Sequence, residues 1–151
     1  MKYSSAFARL AVLGAAASLA ACSSPDGPRV LKDLDRIIAS QNELSTATFD
    51  LSRVVVVRLR VDNEMREVTS LLPVIAAESR TPDGLARTIF RIDQKSDTLT
   101  LFTRDAKSKV AYRADVPVKD PAARPSLMFP VLDGTGNAVN RKISVEAVFA
   151  R

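Results

Sequence analysis

Residues 53–61 have the sequence RVVVVRLRV, in which every second side chain from Val55 onward is aliphatic. Val54, Val56, Arg58 and Arg60 fall on the opposite face of the same segment. Successive side chains of a β-strand point to opposite faces of a sheet, so this period of two predicts a strand. We expect its aliphatic face to be buried and its arginine face to meet solvent. The aliphatic face consists of Val55, Val57, Leu59 and Val61.

Further alternating segments follow this strand, separated by turn residues. A turn is predicted at residues 62–64. The remaining predicted strands are residues 66–75, 87–93, 98–104, 109–118, 126–132 and 139–149. For residues 66–75, Pro73 favours an edge strand, and a helical segment through Ala77 is the alternative. The intervening loops contain Gly, Pro, Asp or Asn, as turns prefer, and they include residues 79–84, 94–97 and 133–137. If the last strand formed the border of a sheet, its backbone would be open to a partner strand; a central position is the alternative.

An amphipathic helix is predicted before the first strand, over residues 29–44. Apolar residues recur there at spacings of three and four, as on one side of an α-helix. They are Val30, Leu31, Leu34, Ile37, Ile38 and Leu44. We expect this stripe to pack on the sheet of its own domain, and docking on a membrane or a partner is the alternative.

These elements predict a mainly β protein. The expected architecture is an antiparallel sandwich or partly closed barrel of about seven strands with one N-terminal amphipathic helix. The alternative is an α+β fold in which the helix covers one antiparallel sheet.

Composition argues against catalysis. The chain has no His, no Trp and a single Cys. Without His it lacks the commonest general base near neutral pH, the Ser-His-Asp and Cys-His arrangements and most zinc and copper sites. We therefore expect no enzyme activity, no catalytic residues, no metal site and no cofactor. One Cys also leaves no disulfide within the chain, so packing must hold the fold.

Arg58 and Arg60 are candidates for contact with a ligand or a partner, because neighbouring guanidinium groups can bind a phosphate or a carboxylate. Outward charge on a half-exposed strand is the alternative explanation. Residues 133–137, DGTGN, superficially resemble a phosphate or calcium loop but lack the P-loop Lys and the closing Glu of a calcium loop. A glycine-containing hairpin turn is expected there.

The N-terminal residues have the features of an export signal. Lys2 and Arg9 carry positive charge ahead of residues 10–21, which are all apolar or small. This run is shorter than the about 20 apolar residues that a membrane-spanning helix needs. It leads into the sequence LAAC at residues 19–22.

The LAAC sequence resembles the recognition site of bacterial lipoprotein signal peptidase substrates, in which an aliphatic residue and two small residues precede an invariant Cys. The resemblance covers residues 1–24 and implies cleavage between Ala21 and Cys22, followed by lipidation of Cys22 with fatty acyl groups. By the sorting rule of that family, Ser23 in place of Asp implies the outer membrane, with the inner membrane as the alternative.

The chain is accordingly divided into three segments. Residues 1–21 are the signal peptide, residues 22–28 are the lipidated Cys with a short tether, and residues 29–151 are a single periplasmic β-rich domain. Loss of Lys2 and Arg9 with the signal leaves 20 basic against 17 acidic residues, so the net charge falls from +5 to +3. This mild excess and the predicted export both argue against a nucleic-acid partner.

We therefore expect a membrane-anchored lipoprotein at the periplasmic face of the outer membrane. Acylated Cys22 would hold it on the lipid bilayer, and its domain would act without catalysis as a scaffold or accessory subunit of a cell-envelope or secretion assembly. Another envelope protein is its expected partner. The alternative is a binding module for a small or anionic envelope ligand.

Overall fold

The computed structural model describes residues 27–45, 50–81, 84–120, 122 and 124–150. These residues form nine β-strands and one α-helix. In chain order the elements are β1 (Arg29–Leu31), α1 (Leu34–Ser45), β2 (Val55–Val61), β3 (Glu64–Thr69), β4 (Val74–Thr81), β5 (Gly84–Asp93), β6 (Thr98–Asp105), β7 (Val110–Pro117), β8 (Ser126–Leu132) and β9 (Ala138–Ala150).

The strands form two separate antiparallel sheets. The five-stranded sheet has the order β1-β7-β6-β5-β4, and the four-stranded sheet has the order β3-β2-β9-β8. Neither sheet closes on itself within the described part of the chain, so the architecture is a sandwich. The prediction of a mainly β, antiparallel fold with one helix is confirmed, and the one-sheet alternative is wrong.

The core lies between the two sheets. The four aliphatic side chains that alternate along β2 are all buried, as the sequence predicted. The opposite face is only partly open to solvent, because Val56 on that face is also fully buried. The four alternating side chains pack against Phe90, Leu99 and Leu101 of the facing sheet. Full burial of such a side chain contributes about 1.5–3 kcal/mol, so this apolar contact is the main force holding the sheets together.

The helix forms a third layer on the outer face of the five-stranded sheet. Ile37 and Leu44 are buried there against Ile89, Phe102 and Ala111. The expectation that the apolar stripe packs on its own domain is confirmed for this side of the helix. Other members of the stripe remain exposed, namely Val30, Leu34 and Ile38.

The predicted start of the helix was wrong. Residues 29–31 pair with β7 as a short edge strand, and the helix begins only at Leu34. Asp33 is the N-cap, because its Oδ1 accepts a hydrogen bond from the Asp35 backbone N at 2.9 Å. A side-chain acceptor at this position satisfies a backbone N–H that the first turn leaves free.

The predicted strand over residues 66–75 is in fact two strands in different sheets. β3 ends at Thr69 and β4 begins at Val74. Pro73 has no backbone N–H to donate, so the ladder cannot run through it. The chain crosses from one sheet to the other at this break. The loop predicted over residues 79–84 is correspondingly shorter, since β4 continues to Thr81.

The last strand is central, so the edge-strand hypothesis for residues 139–149 is wrong: β9 pairs with both β2 and β8. Its register shifts opposite Arg58, where Glu146 is the extra residue of a bulge. The shift changes which side chains point inward. Val148 therefore packs against the core, whereas the Arg58 guanidinium lies over the Phe149 ring at 5.5 Å from its centroid.

A chain of buried hydrogen bonds joins the edge strand β8 to the opposite sheet. Leu132 N donates to Thr88 Oγ1 at 2.9 Å, and Thr88 Oγ1 lies 2.9 Å from Thr103 Oγ1. Thr103 Oγ1 donates in turn to the Pro130 carbonyl oxygen. Both threonine hydroxyls in this series of hydrogen bonds have partners, so these buried polar groups do not weaken the core.

We expect Gly136→Ala to lower the free energy of unfolding by about 1–3 kcal/mol, since Gly136 has a positive φ that strains any side chain. Its φ is 84°, and an added Cβ would lie 2.8 Å from Ser79 Oγ. Gly134→Ala in the same loop is the control, because a Cβ there meets nothing within 4 Å. Urea denaturation of both variants measures the difference, and equal stabilities would contradict this account.

Candidate functional site

We call one end of the sandwich the proximal end, because the N-terminal side of β1, which pairs opposite Arg113, faces that end. β1 runs antiparallel to β7, so the residues before Arg29 come from the direction of Pro117. Pro117 pairs with Thr98, and Val118 N donates to the Asp97 carbonyl oxygen at 2.9 Å. The proximal end comprises residues 50–54, 70–73, 94–97 and 118–120. The distal end comprises residues 62–63, 106–109 and 133–137.

Gln94 ties three segments of the proximal end together. Its Nε2 donates to the carbonyl oxygens of Asp50, at 3.0 Å, and Arg53. The same nitrogen lies 2.9 Å from Ser70 Oγ, and its Oε1 accepts from Asp50 N at 3.2 Å. The loops before β2, after β3 and after β5 are therefore fixed relative to one another.

A cleft of about 590 Å³ opens beside the hydrogen bonds of Gln94. Its walls are the C-terminal end of α1, the outer face of the five-stranded sheet and the loop after β5. Four basic and three acidic side chains line it, so its charge is nearly balanced. They are Arg53, Arg91, Lys95, Arg113, Glu43, Asp50 and Asp93.

Arg91 holds the end of the helix at the cleft. Its Nη1 donates to the carbonyl oxygens of Glu43, at 3.3 Å, and Leu44. The last carbonyls of a helix have no partner within it and carry the negative end of the helix dipole. The Arg91 guanidinium supplies hydrogen-bond donors for these carbonyls and a positive charge beside the negative end of the dipole. It therefore fixes the helix on the sheet.

Arg113 connects the helix to β7. Both terminal nitrogens of its guanidinium donate to the Glu43 carboxylate, at 2.7 and 3.2 Å, and its Nε lies 3.3 Å from both carboxylate oxygens of Asp115. Only 13% of its side chain is exposed. The hydrogen bond from Arg113 holds the pKa of Glu43 below its ordinary value of 4.5.

Two other carboxyl groups of the cleft also have lowered pKa values. The Ser52 hydroxyl lowers the pKa of Asp50, and the Ser96 hydroxyl lowers that of Asp93. A carboxyl that acts as a general acid near neutral pH needs a raised pKa, so Glu43, Asp50 and Asp93 are unsuited to that role. The lowered pKa values favour the ionised carboxylate form of all three groups.

A second cleft of about 690 Å³ lies at the distal end. Arg141 and Asp62 pair across it at 2.9 Å, and this bond lowers the pKa of Asp62. Arg66 pairs with Glu64 at 2.9 Å. Across the described residues, no group of three or more His, Cys, Asp or Glu side chains is placed to hold a metal ion.

Arg58 and Arg60 lie on the outer face of the four-stranded sheet and line neither cleft. Each pairs with a glutamate on a neighbouring strand: Arg58 with Glu67 at 2.7 Å, and Arg60 with Glu146 at 3.0 Å. An anionic ligand would have to compete with these carboxylates. Contact of the two arginines with a ligand or partner stays a prediction.

Residues 133–137 form the predicted hairpin turn between β8 and β9. Asp133 Oδ1 accepts hydrogen bonds from the backbone N of Thr135 at 2.9 Å and of Asn137 at 3.0 Å. The Thr135 hydroxyl donates to the same oxygen and lowers the pKa of Asp133. The carboxylate thus stabilises its own loop.

The residues that build the proximal cleft were not found from the sequence. Gln94 was predicted only as a loop residue, and Arg91 and Arg113 only as polar positions of strands. Arg113 and its partner Glu43 are 70 residues apart in the chain, so no local pattern connects them. Arg113 shares its predicted strand face with Asp115, and Arg91 shares its face with Arg87 and Asp93, so each looks like an ordinary position on a polar face.

The predicted cleavage and lipidation site, Ala21 and Cys22, lies outside the described residues, so lipidation stays a prediction. Within the described part of the chain, the helix is too short and too polar to cross a bilayer. No protein-family model, no curated protein and no solved structure matches this chain.

We expect Gln94→Met to lower the free energy of unfolding by about 1–2 kcal/mol, because it keeps the side-chain length but removes the hydrogen bonds that join three loops. The control is Lys95→Met, which changes the adjacent exposed side chain of the same loop. Thermal and urea denaturation compare the two. If Gln94→Met were as stable as the control, the tie would not hold the proximal end.

We expect Glu43→Gln to be less stable than the unaltered chain at neutral pH by about 0.5 kcal/mol, the size of a solvent-screened ion pair. A carboxyl with a lowered pKa stabilises the fold above its unfolded pKa and loses this effect as the pH falls through its folded pKa. The difference should therefore shrink below pH 4.5. Urea denaturation across this range measures it, and a difference independent of pH would exclude the Arg113 bond as its cause.

Proposed function

We propose that this chain is a membrane-anchored lipoprotein whose β-sandwich acts without catalysis as a scaffold or accessory subunit of a cell-envelope assembly. Acylation of Cys22 would hold it at the periplasmic face of the outer membrane. The observation that carries the proposal is the LAAC sequence at residues 19–22, directly after a short apolar run and five residues before Gly27, where the described domain begins.

The chemistry of the described surface supports a binding rather than a catalytic role. The proximal cleft contains neither His nor Cys, and the pKa values of its three carboxyl groups are lowered. A carboxylate whose pKa is lowered is a weak general base toward the neighbouring Ser52 and Ser96 hydroxyls. The arginines of the cleft instead bind carboxylates and helix carbonyls of the same chain.

The same cleft favours a second candidate function, a binding module for a small anionic envelope ligand. Arg91 and Arg113 converge there with Arg53 and Lys95, and guanidinium groups bind carboxylate and phosphate bidentately. Such a ligand would have to displace Glu43 from Arg113. Under this alternative, Glu43→Gln should bind the ligand more tightly than the unaltered chain.

Chemical crosslinking in envelopes of the native host, followed by affinity purification, tests the proposal. We expect the full-length protein to carry acyl groups on Cys22, to fractionate with the outer membrane and to recover a stoichiometric protein partner. Cys22→Ser should lose the acyl groups and with them the outer-membrane fraction, because serine has no thiol to form the thioether.

An unmodified Cys22 in mass spectra of the native protein would refute the anchoring. If Cys22 were acylated but a small molecule rather than a protein co-purified, the scaffold proposal would be wrong and the binding module would take its place. Loss of that molecule in Arg113→Met would then locate it in the proximal cleft.

A further inference from the structure

We propose that the proximal end of the sandwich docks directly on the lipid bilayer through a leucine patch, defined as Leu51, Leu72 and the loops that carry them. The inference rests on the proposed lipidation of Cys22 and adds the orientation of the domain on the membrane. The partner is the bilayer itself, and its apolar interfacial region is the chemistry that the patch recognises.

The patch is the most exposed apolar surface of the described residues. Leu51 is 79% exposed and Leu72 is 67% exposed, more than any other large apolar side chain described. A single exposed leucine needs no explanation. Here both lie at the same end, whereas the distal loops, residues 62–63, 106–109 and 133–137, contain no large apolar residue.

The loops of the patch are held in place. Gln94 bonds to the backbone of Asp50 and Arg53, which flank Leu51. It also bonds to Ser70, two residues before Leu72. Because these loops are already ordered, burying the leucines in a bilayer costs little additional conformational entropy.

The length of chain between Cys22 and Gly27 allows this end to reach the membrane. Cys22 precedes Gly27 by five residues, so their Cα atoms lie at most about 18 Å apart. The chain reaches β1 from the direction of Pro117, and β7 from Arg113 to Pro117 is four residues, about 13 Å long. A bilayer that holds acylated Cys22 therefore lies within reach of the proximal end.

The charges beside the patch balance, so apolar insertion rather than attraction to anionic lipid would hold the patch on the bilayer. The proximal loops carry three basic and three acidic side chains, and Arg53 and Asp97 pair at 2.7 Å. The six are Arg53, Lys95, Lys119, Asp50, Asp97 and Asp120. Binding driven by anionic lipid would need a basic cluster and would weaken with salt. Docking through the patch should not depend on salt.

Site-specific fluorescence in vesicles tests the proposal. The acylated full-length protein is placed in vesicles of phosphatidylethanolamine and phosphatidylglycerol with an environment-sensitive probe at Leu51→Cys or Leu72→Cys. Cys22 is the one natural thiol and is blocked by acylation, so the new Cys takes the label. We expect a blue shift of the emission and quenching by lipids brominated near the headgroup, both unchanged by salt. A probe at Gly134→Cys, at the distal end, should show neither.

A reporter outside the patch separates docking from a local effect of the label. A probe at Lys95→Cys should be quenched in the unaltered background and should lose that quenching when Leu51→Asp and Leu72→Asp are combined. The matched control combines Leu34→Asp and Ile38→Asp, which alters two exposed apolar side chains on the flank of the domain. It should leave the quenching intact.

The outcomes distinguish this inference from the proposed function. Acylated protein whose probes at positions 51 and 72 are not quenched, or are quenched no more than position 134, would overturn the docking and leave the anchoring intact. An unmodified Cys22 would overturn both. A photocrosslinker at position 51 that captures a protein rather than lipid in envelopes would assign the patch to a protein partner and overturn the lipid contact.

Discussion

The apolar contact between the two sheets is the constraint on which the rest of the structure depends. The chain has one Cys and it precedes the described domain, so no disulfide joins the sheets. Val57 and Leu59 on one side and Phe90 and Leu101 on the other are fully buried in this contact. Each strand must therefore point its apolar side chains toward the other sheet. The bulge in β9 is the point at which the inward and outward positions of that strand change over.

The three layers assign different roles to the surfaces of the molecule. The helix covers the outer face of the five-stranded sheet, while cross-strand ion pairs of Arg58 and Arg60 occupy the outer face of the other sheet. The loops at the two ends do not carry a cross-strand ladder, so they are free to differ. The proximal loops carry exposed leucines and a charged cleft, whereas the distal loops are short and polar.

The proximal cleft shows why long-range sites escape prediction from a single sequence. Arg91 meets the helix carbonyls 47 and 48 residues away in the chain, and Gln94 bonds to a backbone 44 residues away. Each of these residues looks like an ordinary polar position in its own segment. Their roles follow from the stacking of the helix on the sheet and from the directions of the strands, which the periodicity of one segment does not contain.

The amino-acid sequence by itself determined the alternation of most strands, the DGTGN turn and the amphipathic character of the helix, because these depend on neighbours one to four residues apart. It also contains the LAAC sequence, on which the proposed anchoring depends. Only the tertiary structure decided that residues 66–75 divide between two sheets, that β9 is central and that Leu51 and Leu72 share one end. Strand order and sheet assignment arise from contacts between distant segments, and these depend on how all the apolar faces can be buried together.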